Sequence, residues 1–457
     1  MNFWDKGQDG AALAVIDDND SPVSYSELHA RVDAAAADLA ARGPRQFGVL
    51  FMRNSVACLV AYLACLRARH VPLLLPGELR EDLADSLIAH YAPDWIMGGA
   101  VEGDSLAGSG LKIKAGAAGA AAPLAPDLAL LLSTSGSTGS PKLVRLSYQA
   151  LQANAASIAQ YLAIGPADRA LTVLPPYYSY GLSVVNSHLA AGAALVMRDV
   201  SVMSPEFADA IRRHAVTSIA GVPYVYQMLY RTAFHKQELP SLRVLTQAGG
   251  RLDDRLTRAF GDIAAQRGWK FFVMYGQTEA TARISYVPPE RLLEKVGSIG
   301  IAIPGGELGL DPLTGELLYH GPNVMMGYAL ARADLALGDE LAGTLRTGDT
   351  GFRDDEGYFF ITGRLKRFVK LAGNRIGMDE VEQQLQAELA VPVSVGGRDE
   401  RLIIWLESAD QALADVAKQF MASRFGIHHS LFRIRAVEQL PLLPTGKKDY
   451  TALMVDA

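Results

Sequence analysis

The chain has 457 residues, with Lys+Arg 43 against Asp+Glu 49, a net charge of −6, and 49% hydrophobic against 20% charged residues. These values exclude a disordered chain, a fibre and a small disulfide scaffold, and the acidic balance lacks the basic footprint of a nucleic-acid binder. At about 150 residues per domain the length holds roughly three domain-sized units, large enough to fold without a metal or disulfide staple.

The first residues, Met1-Asn2-Phe3-Trp4-Asp5-Lys6-Gly7, have no basic region followed by an apolar core, and so read as no secretory signal. Ser24-Tyr25-Ser26-Glu27 has the Ser-x-x-Glu form of a helix start, and the Ala-rich stretch from Leu28 to Ala41 continues it up to Gly43. Gly48–Phe51 reads as a buried strand, followed by an apolar helix with Cys58 and Cys65 and a second short run, His70–Leu75. The two cysteines are seven residues apart, about 10 Å along one helix, too far for a disulfide. They read as buried small hydrophobes of a reducing compartment, and the run Val56–Leu66 is about half the length of a membrane span. A cytoplasmic protein without a membrane span is expected.

Residues 108–126 are rich in Gly, Ala and Pro and read as a connector. Leu128–Leu132 is a continuous apolar run suited to a buried strand, and three more strand–helix alternations are expected before about residue 280. From Gly297 on, Gly300, Gly305, Gly306, Gly309, Gly315 and Gly321 punctuate short apolar runs, the texture of an antiparallel β region. The segment 366–457 mixes short strands with helix-like stretches near 379–389 and 409–425. The class expected is α/β.

The strongest chemical signal is Ser133-Thr134-Ser135-Gly136-Ser137-Thr138-Gly139-Ser140-Pro141-Lys142, directly after the apolar run. Glycines let successive N–H groups face an anion, hydroxyls add donors, and lysine adds a point charge for phosphate. It is no Walker loop: Pro141 stands where the second glycine belongs, and no Ser or Thr follows Lys142. The segment closely resembles the phosphate loop of the adenylate-forming superfamily, which includes acyl- and aryl-CoA synthetases, nonribosomal peptide adenylation domains and firefly luciferase.

Further strings carry the resemblance from about Ser24 to Tyr450. Tyr275-Gly276-Gln277-Thr278-Glu279, 133 residues after Lys142, resembles the family's aromatic-Gly-x-Thr-Glu motif. The resemblance implies that Tyr275 stacks on adenine, Thr278 meets the α-phosphate and Glu279 holds magnesium. Ala248-Gly249-Gly250 resembles the small-residue turn against adenine and acyl group, and Thr347-Gly348-Asp349 the segment whose aspartate binds the ribose hydroxyls. Gly363-Arg364-Leu365-Lys366 resembles the interdomain hinge, with Arg364 on ribose or phosphate and Lys366 at the pivot. Lys370–Ile376, with Gly373, looks like the loop that serves thiol transfer, and Leu443-Pro444-Thr445-Gly446-Lys447 like the terminal turn whose lysine clamps substrate carboxylate and α-phosphate. Its Gly-Lys spacing favours Lys447 over Lys448. Gly315-Glu316-Leu317 and Gly321-Pro322-Asn323-Val324-Met325-Met326-Gly327-Tyr328 match scaffold strings of the family.

The fold implied is a large N-terminal adenylating domain of α/β subdomains plus a β region, residues 1–363, and a small mobile α+β C-terminal lid domain, 366–457, hinged at 364–366. Leu174–Leu182 resembles the acid-pocket motif, which places Tyr177, Tyr178 and Ser179 at the pocket with Tyr224 and Ala248, while Tyr180 is expected to pack the domain. Amino-acid-activating relatives carry an aspartate where Ser179 stands, and there is no carboxylate between 169 and 198. An α-ammonium there would lack a counter-charge, so an aryl, hydroxylated or short-to-medium acyl acid is expected. The resemblance implies ATP-dependent activation through an acyl-adenylate with Mg²⁺, then transfer to CoA. The alternative acceptor is a carrier protein's phosphopantetheine in trans. A nucleotide-binding regulator without turnover is a third reading, opposed by the presence of Thr278, Glu279, Asp349 and Lys447.

Overall fold

The apolar runs of the sequence become neighbours in two large sheets. The computed structural model describes residues 2–5, 10–116, 123–133, 142–365, 367–371, 374–398, 400–443 and 447–455. Among these, one eight-stranded sheet runs Gly327–Ala329, Leu143–Ser147, Leu128–Ser133, Val71–Pro76, Phe47–Met52, Trp95–Gly98, Lys112–Ala115, Asp104–Ser105. Its centre is parallel and nearly all buried, because helices cover both faces of such a sheet and leave no polar side. The helices Tyr25–Ala41 and Val56–Arg67 precede and connect its first strands, and each is capped by a serine, Ser24 accepting from Glu27 N and Ser55 from Cys58 N. Both cysteines lie buried in the second of these helices, and burial pushes the Cys65 thiol up.

The nine-stranded sheet places Lys270–Tyr275, Val244–Gln247, Ser218–Gly221, Arg169–Leu171, Ala194–Val196 and Leu13–Ile16 side by side in parallel. After the strand Leu143–Ser147, five helices among the described residues, Tyr148–Leu162, Ser179–Ala190, Pro205–Arg213, Pro223–Arg231 and Asp254–Arg267, alternate with strands up to Tyr275, more than the three alternations expected. Arg169–Leu171 and Ala194–Val196 are three residues each, too short to show a strand period in the sequence. The connector 108–126 also needs correction: Lys112–Ala115 is a strand pairing with Trp95–Gly98, and only Ile113 of it is buried. Residues 117–122 lie outside the described ones.

The described chain forms two compact units, Met1–Glu307 with Tyr319–Leu345, and Leu308–Leu318 with Arg346–Ala457. The second contains most of a four-stranded sheet, Glu307–Leu310, Glu316–His320, Thr344–Arg353 and Phe359–Arg364, whose last two strands are antiparallel. It also has its own core around Val381, Leu385, Ile404 and Met421, under the helices Met378–Leu389 and Gln411–Phe425 anticipated from the sequence. A third short helix there, Tyr450–Val455, was not anticipated. The β region thus clusters with the smaller unit by contact, whereas the hinge expected at 364–366 is a statement about motion.

Candidate active site

Two strand ends and one helix start of the first unit converge. Ser179 opens the helix Ser179–Ala190, and Thr278 opens a short 3-10 turn after the strand Lys270–Tyr275. Their hydroxyl oxygens are 3.2 Å apart. The residue given to the acid pocket thereby meets the residue given to the α-phosphate, 99 positions away.

The turn Ala248–Gly250 follows the neighbouring strand and completes this corner. Gly249 has φ +85°, and a Cβ there would stand 2.7 Å from the Tyr178 hydroxyl, so both backbone conformation and close approach demand glycine. Tyr178 is 8% exposed, and burial pushes its phenol up to about 12, so it acts as a neutral hydrogen-bonding group. Tyr177 is half-buried and its phenol is raised by burial as well. Tyr224 lies in the first turn of the helix Pro223–Arg231, whose Pro223 lines Gly250. Tyr180 packs inward, its hydroxyl donating to Thr246 O at 2.9 Å.

The loop Tyr275–Glu279 is pinned from below. A Cβ on Gly276 would fall 1.8 Å from Ala282 O, so the chain turns there only with glycine. Buried Asn323 donates to Ala280 O at 2.9 Å and Arg283 O at 2.8 Å, and accepts from Tyr319 Oη at 2.7 Å. Met325 N donates to Glu279 O at 2.8 Å. Thr281 takes φ +63°, a costly conformation for a β-branched residue, and its hydroxyl donates to Asn323 O at 2.8 Å.

Glu279 Oε1 accepts from Tyr328 Oη at 2.8 Å, and Lys142 Nζ lies 3.3 Å from the centre of the Tyr328 ring. One tyrosine therefore ties the lysine at the end of the phosphate-loop string to the carboxylate assigned to magnesium. Fully buried Arg145 holds the segment carrying Tyr328, donating to Tyr328 O, Met326 O and Glu340. Thr134, Ser135, Gly136, Ser137, Thr138 and Gly139 lie outside the described residues. The strands flanking them pair antiparallel, with Ser133 opposite Leu143.

In the second unit, Asp349 and Arg364 are register partners on adjacent strands, and Arg364 Nε donates to Asp349 Oδ1 at 2.9 Å. The Asp349 carboxylate is buried, and Thr347 Oγ1 accepts from its N–H at 3.1 Å. Lys366 and Gly373 lie outside the described residues. Lys447 stands at the foot of the terminal turn, its carbonyl accepting from Leu443 N at 2.7 Å. Its neighbour Lys448 points inward, with Nζ 2.6 Å from Glu382 Oε1 and 2.5 Å from Val393 O. Tyr450 Oη and Arg367 also donate to Glu382. Burial works against the Glu382 charge, yet Lys448 and Arg367 hold its carboxyl below the usual range.

The donor chemistry of the first unit, a carboxylate, an ammonium and clustered hydroxyls around a glycine-lined corner, fits a nucleotide triphosphate with a hard cation. Residues 4–329 match the family model described as AMP-binding enzyme. The chain belongs to the AMP-binding enzyme family. It is 30% identical over 351 residues to the sulfoacetate–CoA ligase of Cupriavidus necator, covering 72% of this chain and 68% of that protein. To the salicyl-AMP ligase / salicyl-S-ArCP synthetase of Mycobacterium tuberculosis it is 28% identical over 501 residues, covering 97% and 87%. A solved structure of O-succinylbenzoate coenzyme A synthetase from Bacillus subtilis, in complex with ATP and magnesium ion, superposes with a TM-score of 0.76 at 25% identity, covering 96% of this chain and 95% of that one. This AMP-binding enzyme is an AMP-forming acid–thiol ligase. It uses ATP and Mg²⁺ to make an acyl-adenylate and passes the acyl group to a thiol.

Several participants of these networks escaped the sequence reading, among them Asn323, Tyr328, Glu382 and Arg283. Asn323 and Tyr328 stood inside a string taken only as scaffold. Glu382 carried a usable signal: it sits with Met378, Val381, Leu385 and Leu389 on the apolar stripe of its helix. Arg283 is buried at 3% exposure within a stretch without periodicity, and had no such signal.

Proposed function

We propose that this enzyme activates a carboxylic acid that is not an α-amino acid and hands it to CoA. The observation that carries this is the 3.2 Å approach of Ser179 to Thr278, which supports an acid site abutting a phosphate site with a neutral hydroxyl where an ammonium would need a carboxylate.

The chemistry balances as follows. A carboxylate oxygen of the acid attacks the α-phosphorus of ATP, and the bond to the β-phosphate oxygen breaks, releasing pyrophosphate. The thiol sulfur then attacks the acyl carbon, the bond to the AMP oxygen breaks, and the thiol proton passes to solvent. Both nucleophiles belong to substrates, so the residues position and stabilise charge. Thr278 donates to the α-phosphate, Tyr275 stacks on adenine against Gly249, Gly250 and Gly276, and Asp349 with Arg364 holds the ribose. Residues 134–139 and Lys142 take the outer phosphates. Glu279 holds the magnesium, whose charge neutralises the phosphates. Ala248, Tyr177, Tyr178, Ser179 and Tyr224 wall the acid. Lys447 clamps the transferring carboxylate in the first step, and motion about Lys366 replaces it with the thiol-side loop of Gly373 in the second. The inward commitment of Lys448 to Glu382 supports Lys447 in that role.

The name of the salicyl relative supports the second acceptor, a carrier protein's phosphopantetheine in trans. Among the described residues no helix is long and apolar enough to cross a membrane, and the free buried cysteines support a cytoplasmic enzyme. Pyrophosphate release across a panel of acids, each with and without CoA, tests the reading. Turnover with thioester formation is expected with CoA. Adenylate formation without any CoA thioester would move the acceptor to a carrier protein, and no turnover with any acid would restore the regulator.

A further inference from the structure

We propose that the acid substrate carries a second anionic group, a carboxylate or sulfonate on its tail, and that Arg283 binds it. The inference rests on the acid–thiol ligase reading above and names its substrate class.

A cavity of about 320 Å³ lies in the first unit, lined among others by Ser183, His188, Thr246 and Arg283. That volume is in the range of about 300–1,000 Å³ usual for small-molecule sites. Its inner residues belong to the elements that build the acid corner. Ser183 lies one turn beyond Ser179 on the same helix, and Thr246 lies on the strand that leads into Ala248. Arg283 follows the Thr278–Ala280 turn by three residues. The cavity and the acid corner thus share one helix and one strand.

Arg283 is only 3% exposed, and its Nε has no hydrogen-bond partner among the described residues. The face of its guanidinium lies 3.9 Å from the centre of the Tyr180 ring and its edge shares a hydrogen bond with the Tyr161 hydroxyl, so Nε is the donor left for another partner. The one carboxylate among the cavity's described lining residues, Asp168, is committed elsewhere: it accepts from Thr217 Oγ1 at 2.7 Å, Gly165 N at 2.9 Å and Arg243. His188 cannot neutralise an anion either, because its ring nitrogens are engaged with Val184 O and Ser218 Oγ and burial holds it down at about 4. A guanidinium held this deep without a counter-charge is costly unless a ligand supplies one. Its planar fork matches a carboxylate or a sulfonate.

The test compares acids of equal length with and without a distal charge: glutarate against valerate, and 3-sulfopropionate against butyrate, by pyrophosphate release in the full-length enzyme. The dianions are expected to show the higher kcat/KM. Arg283→Met should lower the dianion-to-monoanion ratio of kcat/KM by roughly 10²-fold, mostly through KM, with Arg283→Lys in between. A ratio cancels any general loss of folded enzyme. A wild-type preference for the monoanions overturns the proposal, as does a dianion preference that Arg283→Met leaves intact. A dianion that changes the rate without being adenylated also overturns it, because the anion then binds outside the acid site. If no acid releases pyrophosphate, it is the ligase reading that fails, whereas turnover of monoanions alone removes only this inference.

Discussion

The two units hold their key residues by opposite means. In the first, the Thr278–Glu279 turn rests on neutral hydrogen bonds, from Asn323, Met325 N and the Tyr328 hydroxyl. In the second, the foot of the Lys447 turn is anchored by charge, through Lys448 and Arg367 on one buried carboxylate, Glu382. Neutral bonds fix a phosphate-facing turn without altering its charge. An ionic anchor is stronger when intact and fails abruptly when one partner is removed. The arrangement is consistent with the roles proposed for the Thr278–Glu279 turn and for Lys447.

The largest effect expected is at the ionic anchor. Glu382→Ala removes the carboxylate shared by half-buried Lys448 and Arg367 and should cost about 3 kcal/mol, read as a lowered denaturant midpoint for the second unit with loss of adenylation. An unchanged midpoint would remove the contrast. The same carboxylate predicts a pH limb: its folded pKa is lowered, so its contribution is present above the unfolded value of about 4.3 and is lost as pH falls below it. Asn323→Ala breaks three neutral hydrogen bonds at once and should cost about 2–4 kcal/mol, with a fall in kcat for pyrophosphate release that Asn323→Asp only partly restores. The smallest effect is at Tyr328→Phe, which keeps the ring beneath Lys142 but removes the bond to Glu279. An increase of about 3–10-fold in KM for ATP·Mg²⁺ is expected, and no increase would show that this hydroxyl does not set the carboxylate.

The sequence was most informative where chemistry is carried by consecutive residues. Glycine-rich and hydroxyl-rich strings must be contiguous to curl around an anion, so Ser133–Lys142 could be picked out directly, and Tyr275–Glu279 and Thr347–Asp349 followed from the family resemblance. The buried strands Leu128–Ser133 and Val71–Pro76 showed as apolar runs for the same reason. What could not be read was what supports them. Asn323 reaches Ala280 across 43 positions and Lys448 reaches Glu382 across 66, and no local pattern encodes such pairings. Arg283 was invisible because a lone arginine between small and β-branched residues looks like any surface cation. Three-residue strands were also missed, since an alternation of period two cannot be seen in three residues.

The division of labour between the units is the central claim, and Lys447 tests it most directly. In Lys447→Ala, adenylation measured by pyrophosphate release should fall by roughly 10²–10³-fold, as for loss of a single electrostatic clamp. Transfer from supplied acyl-adenylate to CoA, measured by thioester formation in the same preparation, should stay close to the wild-type rate. Equal loss of both half-reactions would contradict the account.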